Sequence, residues 1–168
     1  MRLEHQIGQA CQNNKRPLVL FSGGMDSTSL ISWFLHFTNI DVFYVQANVH
    51  PWKQQKEKEA RELIKARFAE QRKTSDIYRI VDDFELVIND LYAQTHNYSL
   101  VQPISWLTAA LIKFNPEVHS GVAVGYLLGD QAPAFRKELE DFWRAGWVLL
   151  RGRGMEPPPL WFPLLDFG

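Results

Sequence analysis

Ser22-Gly-Gly-Met-Asp-Ser27 follows directly on the apolar run Leu18-Val-Leu-Phe21, and this junction constrains the fold more than any other stretch. The run has the length and apolarity of a buried parallel strand. Ser22, Gly23 and Gly24 allow a sharp turn and close approach of the backbone to a ligand. Ser27 or Thr28 can then open a helix, with Leu30, Ile31, Phe34 and Leu35 at helical spacing. A strand, a glycine turn and a helix N-terminus in succession suit an anion. The amides point inward and the helix dipole favours negative charge.

The turn is not a Walker A loop, which requires a Lys-Ser/Thr pair after its glycines. No Lys occurs between Arg16 and Lys53. The residues Ser22-Gly-Gly-Met-Asp-Ser27 instead resemble the Ser-Gly-Gly-x-Asp-Ser signature of the PP-loop ATP pyrophosphatase superfamily. A plain glycine turn capped by Asp and Ser is the bland alternative. All fixed positions of the signature, straight after an apolar strand, favour a nucleotide loop.

The 168 residues fit one domain, and 46% hydrophobic content supports a core. A net charge of -1 argues against a nucleic-acid-coating protein. The single cysteine, Cys11, excludes a disulfide framework and a cysteine-based metal site; it reads as a half-buried residue of an N-terminal helix. No apolar run approaches the ~20 residues of a membrane span. Residues 1–10 lack a basic-then-apolar signal pattern. A cytoplasmic protein with no membrane partner is expected.

Residues 1–15 read as a short helix, and Pro17 marks entry into the first strand. A helix over about 27–37 precedes a second strand, Asp41-Val-Phe-Tyr-Val-Gln46. His50, in the loop after it, reads as solvent-exposed. A charged helix over 52–72 shows an apolar stripe of Ala60, Leu63, Ile64 and Phe68, with Glu57 and Arg61 facing water. Ile77–Asp82 reads as a third strand, Phe84–Leu91 as a short helix or turn, and Tyr92–Val101 as a mobile loop carrying His96 and Tyr98. Gln102-Pro103 breaks the chain ahead of a buried helix over 105–114. Gly121–Gly125 reads as a central strand whose small residues imply a close approach by a backbone or a ligand. A loop containing Asp130 leads to a helix over 134–145, followed by an unassigned stretch and a stiff Pro157-Pro-Pro connector. Leu160–Leu165 reads as an edge strand interrupted by Pro163. Alternating strands and helices imply an α/β fold with a parallel, helix-covered sheet of about five strands. The chain stops at Gly168, where such a unit normally continues into a covering helix, so the expectation is either a fragment or a shortened relative.

Beyond the turn, the chain looks like the 7-cyano-7-deazaguanine synthase branch, whose enzymes make the nitrile precursor of queuosine. The match rests on Phe21–Thr28, Ala60-Arg-Glu-Leu63, Leu107-Thr-Ala-Ala110, the Gly125…Asp130…Arg136 spacing and Pro163-Leu-Leu-Asp166. It is strong at the turn and weak elsewhere. Val101-Gln-Pro-Ile-Ser105 stands where the family has Pro-Gly-Arg-Asn, and Ala134-Phe-Arg136 where it has Asp-Cys-Arg. The family's C-terminal cysteine-rich zinc site has no counterpart ligands here. The resemblance implies an adenine nucleotide alpha-hydrolase-like, Rossmann-like three-layer sandwich with a mostly parallel five-stranded sheet. It implies a ligase that adenylates 7-carboxy-7-deazaguanine, releases pyrophosphate and forms the nitrile with ammonia.

ATP and magnesium are the cofactors so implied. Nucleotide contacts fall on Phe21, Ser22, Gly23, Gly24 and Met25, then on Asp26, Ser27, Thr28 and Ser29, and on Leu30 and Ile31. Catalytic roles fall on Asp26 and Arg136, and the deazapurine would meet Asp130 and Arg136. Asp26 either orients the loop, holds a magnesium-bound water, or caps the helix. Arg136 is the foremost candidate for leaving-group charge, ahead of Lys137 and Lys113. Adenine would lie near Phe21 and residues 46–48. Two other readings stay open. One is a non-catalytic nucleotide module working as a homodimer or with a partner protein. The other is an enzyme acting on a tRNA base or a protein through the basic helix.

Overall fold

A computed structural model describes residues 5, 7–8, 11, 14–47, 51–88, 98–127, 130 and 132–166. The elements are β1 (Arg16–Leu20), α1 (Met25–Leu35), β2 (Ile40–Ala47), α2 (Pro51–Arg72), β3 (Ile80–Ile88), α3 (Tyr98–Lys113), β4 (His119–Ala123), α4 (Arg136–Arg151), β5 (Leu160–Trp161) and α5 (Pro163–Asp166). One five-stranded sheet has the order β3-β2-β1-β4-β5. Every pairing in it is parallel.

Alternation along β1 shows how the layers form. Leu18 and Leu20 point to one face, where Leu107, Leu111, Leu139, Trp143 and Trp147 of α3 and α4 pack with them. Val19 and Phe21 point to the other, against Leu30, Ile31, Phe34 and Leu35 of α1, with Ile64 and Phe68 of α2 beside them. Helices therefore cover both faces of an all-parallel sheet, which is why its inner strands are apolar on both sides. Among the described residues no helix is long and apolar enough to cross a membrane.

Four sequence expectations are corrected. Residues 84–88 are not helical: β3 runs over Ile80–Ile88 and pairs with β2 from Ile40↔Ile80 to Ala47↔Ile88. Phe84 and Leu86 pack on the α3 side, while Asp83 and Glu85 turn toward Arg61 on the α2 side and Val87 is exposed, the alternation of a strand. Pro103 does not break the chain but lies inside α3, which begins at Tyr98. One lost backbone bond is outweighed there by burial of Leu107, Ala109, Ala110 and Leu111. The last strand is only Leu160–Trp161, and Pro163 opens the short α5, where its fixed φ suits a first helical position. Helix α4 extends through the unassigned stretch to Arg151, with Trp147 buried on its inner face. Residues 48–50 and 89–97, including His50, His96 and most of the expected mobile loop, lie outside the described residues.

The small residues of β4 do mark a close approach, and the neighbour is protein. A methyl group on Gly121 would run into the Trp161 ring and lie 2.9 Å from the Pro159 carbonyl oxygen. The ring cannot swing away, because Trp161 is paired in β5 and buried. Gly121→Ala is expected to destabilise the fold by about 1–3 kcal/mol, seen as a lower urea midpoint at unchanged slope. A wild-type midpoint would contradict this contact.

Candidate functional site

Strand order turns around at β1: β2 and β3 lie to one side of it, β4 and β5 to the other. In open parallel sheets the crevice at such a switch point, beyond the strand C-termini, is where ligands bind. Here that place is occupied by Phe21–Gly24, the turn between β1 and α1. Phe21 N–H donates to the Phe43 carbonyl at 2.9 Å, carrying the β1–β2 pairing into the turn. Its ring is fully buried.

Gly23 and Gly24 serve different needs. Gly23 has φ +82°, and a Cβ there would lie 3.0 Å from the Glu57 carbonyl oxygen and 3.1 Å from Arg61 Cγ. The turn thus rests directly on α2. Gly24 is the N-cap of α1, with φ −75° and ψ 166°. A Cβ on Gly24 would meet only Ser22 Oγ, at 3.4 Å. The protein's own packing does not require glycine at 24, whereas a ligand pressed against the backbone would.

The hydroxyls shape the turn. Ser22 Oγ accepts from Gly24 N–H at 3.3 Å and lies 3.2 Å from Ser27 Oγ. Ser27 and Thr28 hydroxyls donate to the Gly24 carbonyl at 3.1 and 2.7 Å. Ser27 is buried, so its hydroxyl braces the turn from inside. The first intrahelical bond is Thr28 N–H to the Gly24 carbonyl, at 3.0 Å. The amides of Met25, Asp26 and Ser27 precede that ladder and have no acceptor within the helix. Those amides and the half-exposed Ser22 are the polar groups the turn leaves available to a ligand.

The remaining residues fall into two sets. Met25 is 83% exposed at the mouth, with exposed Ser29 beyond it. Leu30 and Ile31 are fully buried against the sheet, so their side chains hold α1 in place. Among the described residues no hydrogen bond or ion pair engages the half-buried Asp26 carboxylate. A free carboxylate here is a residue that could hold magnesium, an ion bound through one or two protein carboxylates with waters filling the remaining positions. Zinc is different: among the described residues no three His, Cys, Asp or Glu side chains come together.

Strand β4 delivers the opposite wall. A Cβ on Gly125 would approach Leu30 and Leu164 side chains and lie 3.6 Å from the Asp26 backbone carbon, so the exit of β4 passes over the first turn of α1. Asp130 closes a turn: it donates its N–H to the Leu127 carbonyl and accepts from Leu127 N–H at 2.8 Å. Arg136, the first residue of α4, stands at the same end of the sheet on the α3–α4 side. Its Nε donates to Glu140 at 3.1 Å, and its guanidinium lies 5.4 Å from the Phe162 ring. Tyr126 stacks between Trp106 and Phe162, with centroids 5.4 and 6.3 Å away. Its buried hydroxyl has no partner among the described residues. Burial, with the Asp130 charge second, pushes its ionisation well above the ordinary tyrosine range.

The adenine region expected near residues 46–48 is only partly in view. Gln46 donates to Gln54 of α2 at 2.8 Å, and residue 48 lies outside the described residues. Sequence reasoning missed Arg61. It was expected in water, yet its side chain is 2% exposed, while Leu63, expected on the stripe, is 55% exposed. The inward line is the partly buried Glu57, Ile64 and Phe68 with the buried Arg61, at the 4-3-4 spacing of one helix face. That spacing was the available signal. The basic surface of α2 is also less basic than its composition: Lys53 is paired with Glu57, Lys65 with Glu62 and Asp83, and Lys73 with Glu70.

The fold and site together define a class: a parallel α/β domain with a glycine turn and a helix N-terminus at its switch point. Within that class, no protein-family model and no curated protein matches the chain.

Proposed function

We propose that the chain is a PP-loop ATP-dependent ligase of the nucleotide alpha-hydrolase-like fold, acting in the cytoplasm on a planar heterocyclic carboxylate, and specifically on 7-carboxy-7-deazaguanine. One observation carries the reading. Gly24, open and without a conformational need to be glycine, sits at the helix N-terminus directly beyond the central strand. Bare amides around it match a polyphosphate. Met25 to Ser27 amides and the Ser22 hydroxyl would take phosphate oxygens, and Asp26 would hold magnesium, which offsets charge as pyrophosphate leaves.

Adenylation supplies what a carboxylate lacks. A carboxylate oxygen attacks the α-phosphorus, the bond to the β-phosphate bridge breaks, and pyrophosphate departs. Ammonia displaces AMP to give the amide; a second adenylation, of the amide oxygen, then lets that oxygen leave as AMP while the nitrogen loses its two protons, giving the nitrile. Positive charge near the departing phosphates lowers the barrier. Arg136 is the candidate for that charge.

The test is pyrophosphate release from ATP with and without the deazaguanine acid and ammonia. Acid-dependent release is expected. Tight ATP binding with no turnover on that acid would favour a binding module, and salt-sensitive RNA binding would favour a nucleic-acid substrate. Failure to bind ATP would overturn the reading.

A further inference from the structure

We infer that Arg61 is the positioning residue of the glycine turn, making its shape depend on carboxylates of the edge strand β3; the inference rests on the nucleotide reading of that turn. Two parts of one side chain carry this. The stem supports the turn from below: a Cβ on Gly23 would lie 3.1 Å from Arg61 Cγ and 3.3 Å from Ala60 Cβ. The guanidinium lies 4.4 Å from the Tyr44 ring on β2 and 5.6 Å from the ring of Phe21, which leads into the turn. Its Nη2 donates to Asp83, and Nη1 lies 3.9 Å from Glu85. A single buried group therefore spans from β3, across β2, to the exit of β1.

Packing alone does not account for an arginine there. An apolar side chain of similar length would fill the space without desolvating a charge. Arginine combines a fork for carboxylates with a planar face for aromatic rings. Its Nε has no partner among the described residues, so Asp83 and Glu85 on one side and the rings on the other fix its orientation. Removing Asp83 releases that orientation although Asp83 does not touch the turn.

Calorimetric ATP titration of folded wild type, Arg61→Lys, Arg61→Met, Asp83→Asn, the Arg61→Met/Asp83→Asn double variant and Lys65→Gln tests this, each well below its own melting temperature. Arg61→Met and Asp83→Asn should each weaken ATP binding about tenfold. The double variant should be no weaker than Arg61→Met, because both changes break one link. Arg61→Lys should recover part of the loss. Lys65→Gln, which disturbs the same carboxylate from the surface, should bind like wild type. Folded Arg61→Met with wild-type affinity, additive losses in the double variant, or an equal loss in Lys65→Gln would each overturn the inference. If Arg61→Met does not fold, Arg61→Lys and Asp83→Asn carry the test, and wild-type affinity in both overturns it. A wild type that binds no ATP sinks the nucleotide reading before any variant is compared.

Discussion

Gly24→Val is expected to abolish ATP binding and leave the fold standing. At φ −75° and ψ 166° the backbone at residue 24 suits any L-residue, and only Ser22 Oγ comes near a new Cβ. The folding cost is that of a poor N-cap, roughly 0.5–1 kcal/mol. Binding suffers differently, because the isopropyl group stands over the amides of Met25 to Ser27. Two lost bonds to a charged phosphate cost about 3 kcal/mol or more, at least a hundredfold in Kd. Gly23→Ala supplies the contrast. Its φ of +82° and the Glu57 carbonyl 3.0 Å from the added methyl strain the folded state itself. It should lower the melting temperature as well as the affinity. Calorimetry alongside thermal melting separates the two. Unchanged ATP affinity in a folded Gly24→Val protein would refute the cradle.

The strand–turn–helix unit was legible because its signals are local. Strand, glycine turn and amphipathic helix follow one another within Leu18–Leu35, and each has its own period. What the glycines are for was not legible. Gly23 is needed by α2, about 35 residues further on, and Gly24 by no protein atom. Arg61 escaped for a related reason. A charge on a helix is ordinarily assigned to water, and only the strand that pairs it, beginning at Ile80, makes its burial tolerable.

The fold was read correctly where helical or strand periodicity is strong and wrongly where pairing decides. Leu86-Val-Ile88 is short enough to pass for one helical turn; the eight-residue β2 beside it makes it a strand. Pro103 and Pro163 were both taken as interruptions. One is overruled by a helix packed against the sheet and α4, and the other begins a helix. Gly121 was identified as a point of close approach, but the ring of Trp161, 40 residues later, could not be named in advance. The charged cluster at the opposite end of the sheet left no local trace at all, since Asp41 joins Arg16 and His119 across 25 and 78 residues.

That cluster carries the largest expected effect on stability. Asp41 is fully buried, accepts from Arg16 Nε at 2.6 Å and from Asp82 N–H at 3.1 Å, and lies 2.9 Å from His119 Nε2. His119 Nδ1 accepts the Asn115 N–H at 2.9 Å, which assigns the proton to Nε2 and makes it the donor to Asp41. Burial raises the Asp41 carboxyl, but the hydrogen bonds from His119 and Arg16 and the Arg16 charge outweigh it, and the group is held below the ordinary carboxylate value. A carboxyl depressed in the native state stabilises it fully above the unfolded value, and that stability drains as pH falls through the native one. Wild type should therefore lose stability below pH 3.8, the ordinary Asp value. Asp41→Ala, which strands the buried His119 N–H and leaves Arg16 only Asp82 at 3.7 Å, should cost about 3 kcal/mol at neutral pH. Asp41→Asn is the sharper probe. Its amide can still accept from Arg16, but presents N–H to the His119 Nε2 proton. Switching the imidazole tautomer would relieve that conflict only by turning Nδ1–H against the Asn115 N–H. The variant should be destabilised at pH 7 and lack this component of the acid loss in urea titrations. An acid dependence identical to wild type would show that Asp41 does not supply it.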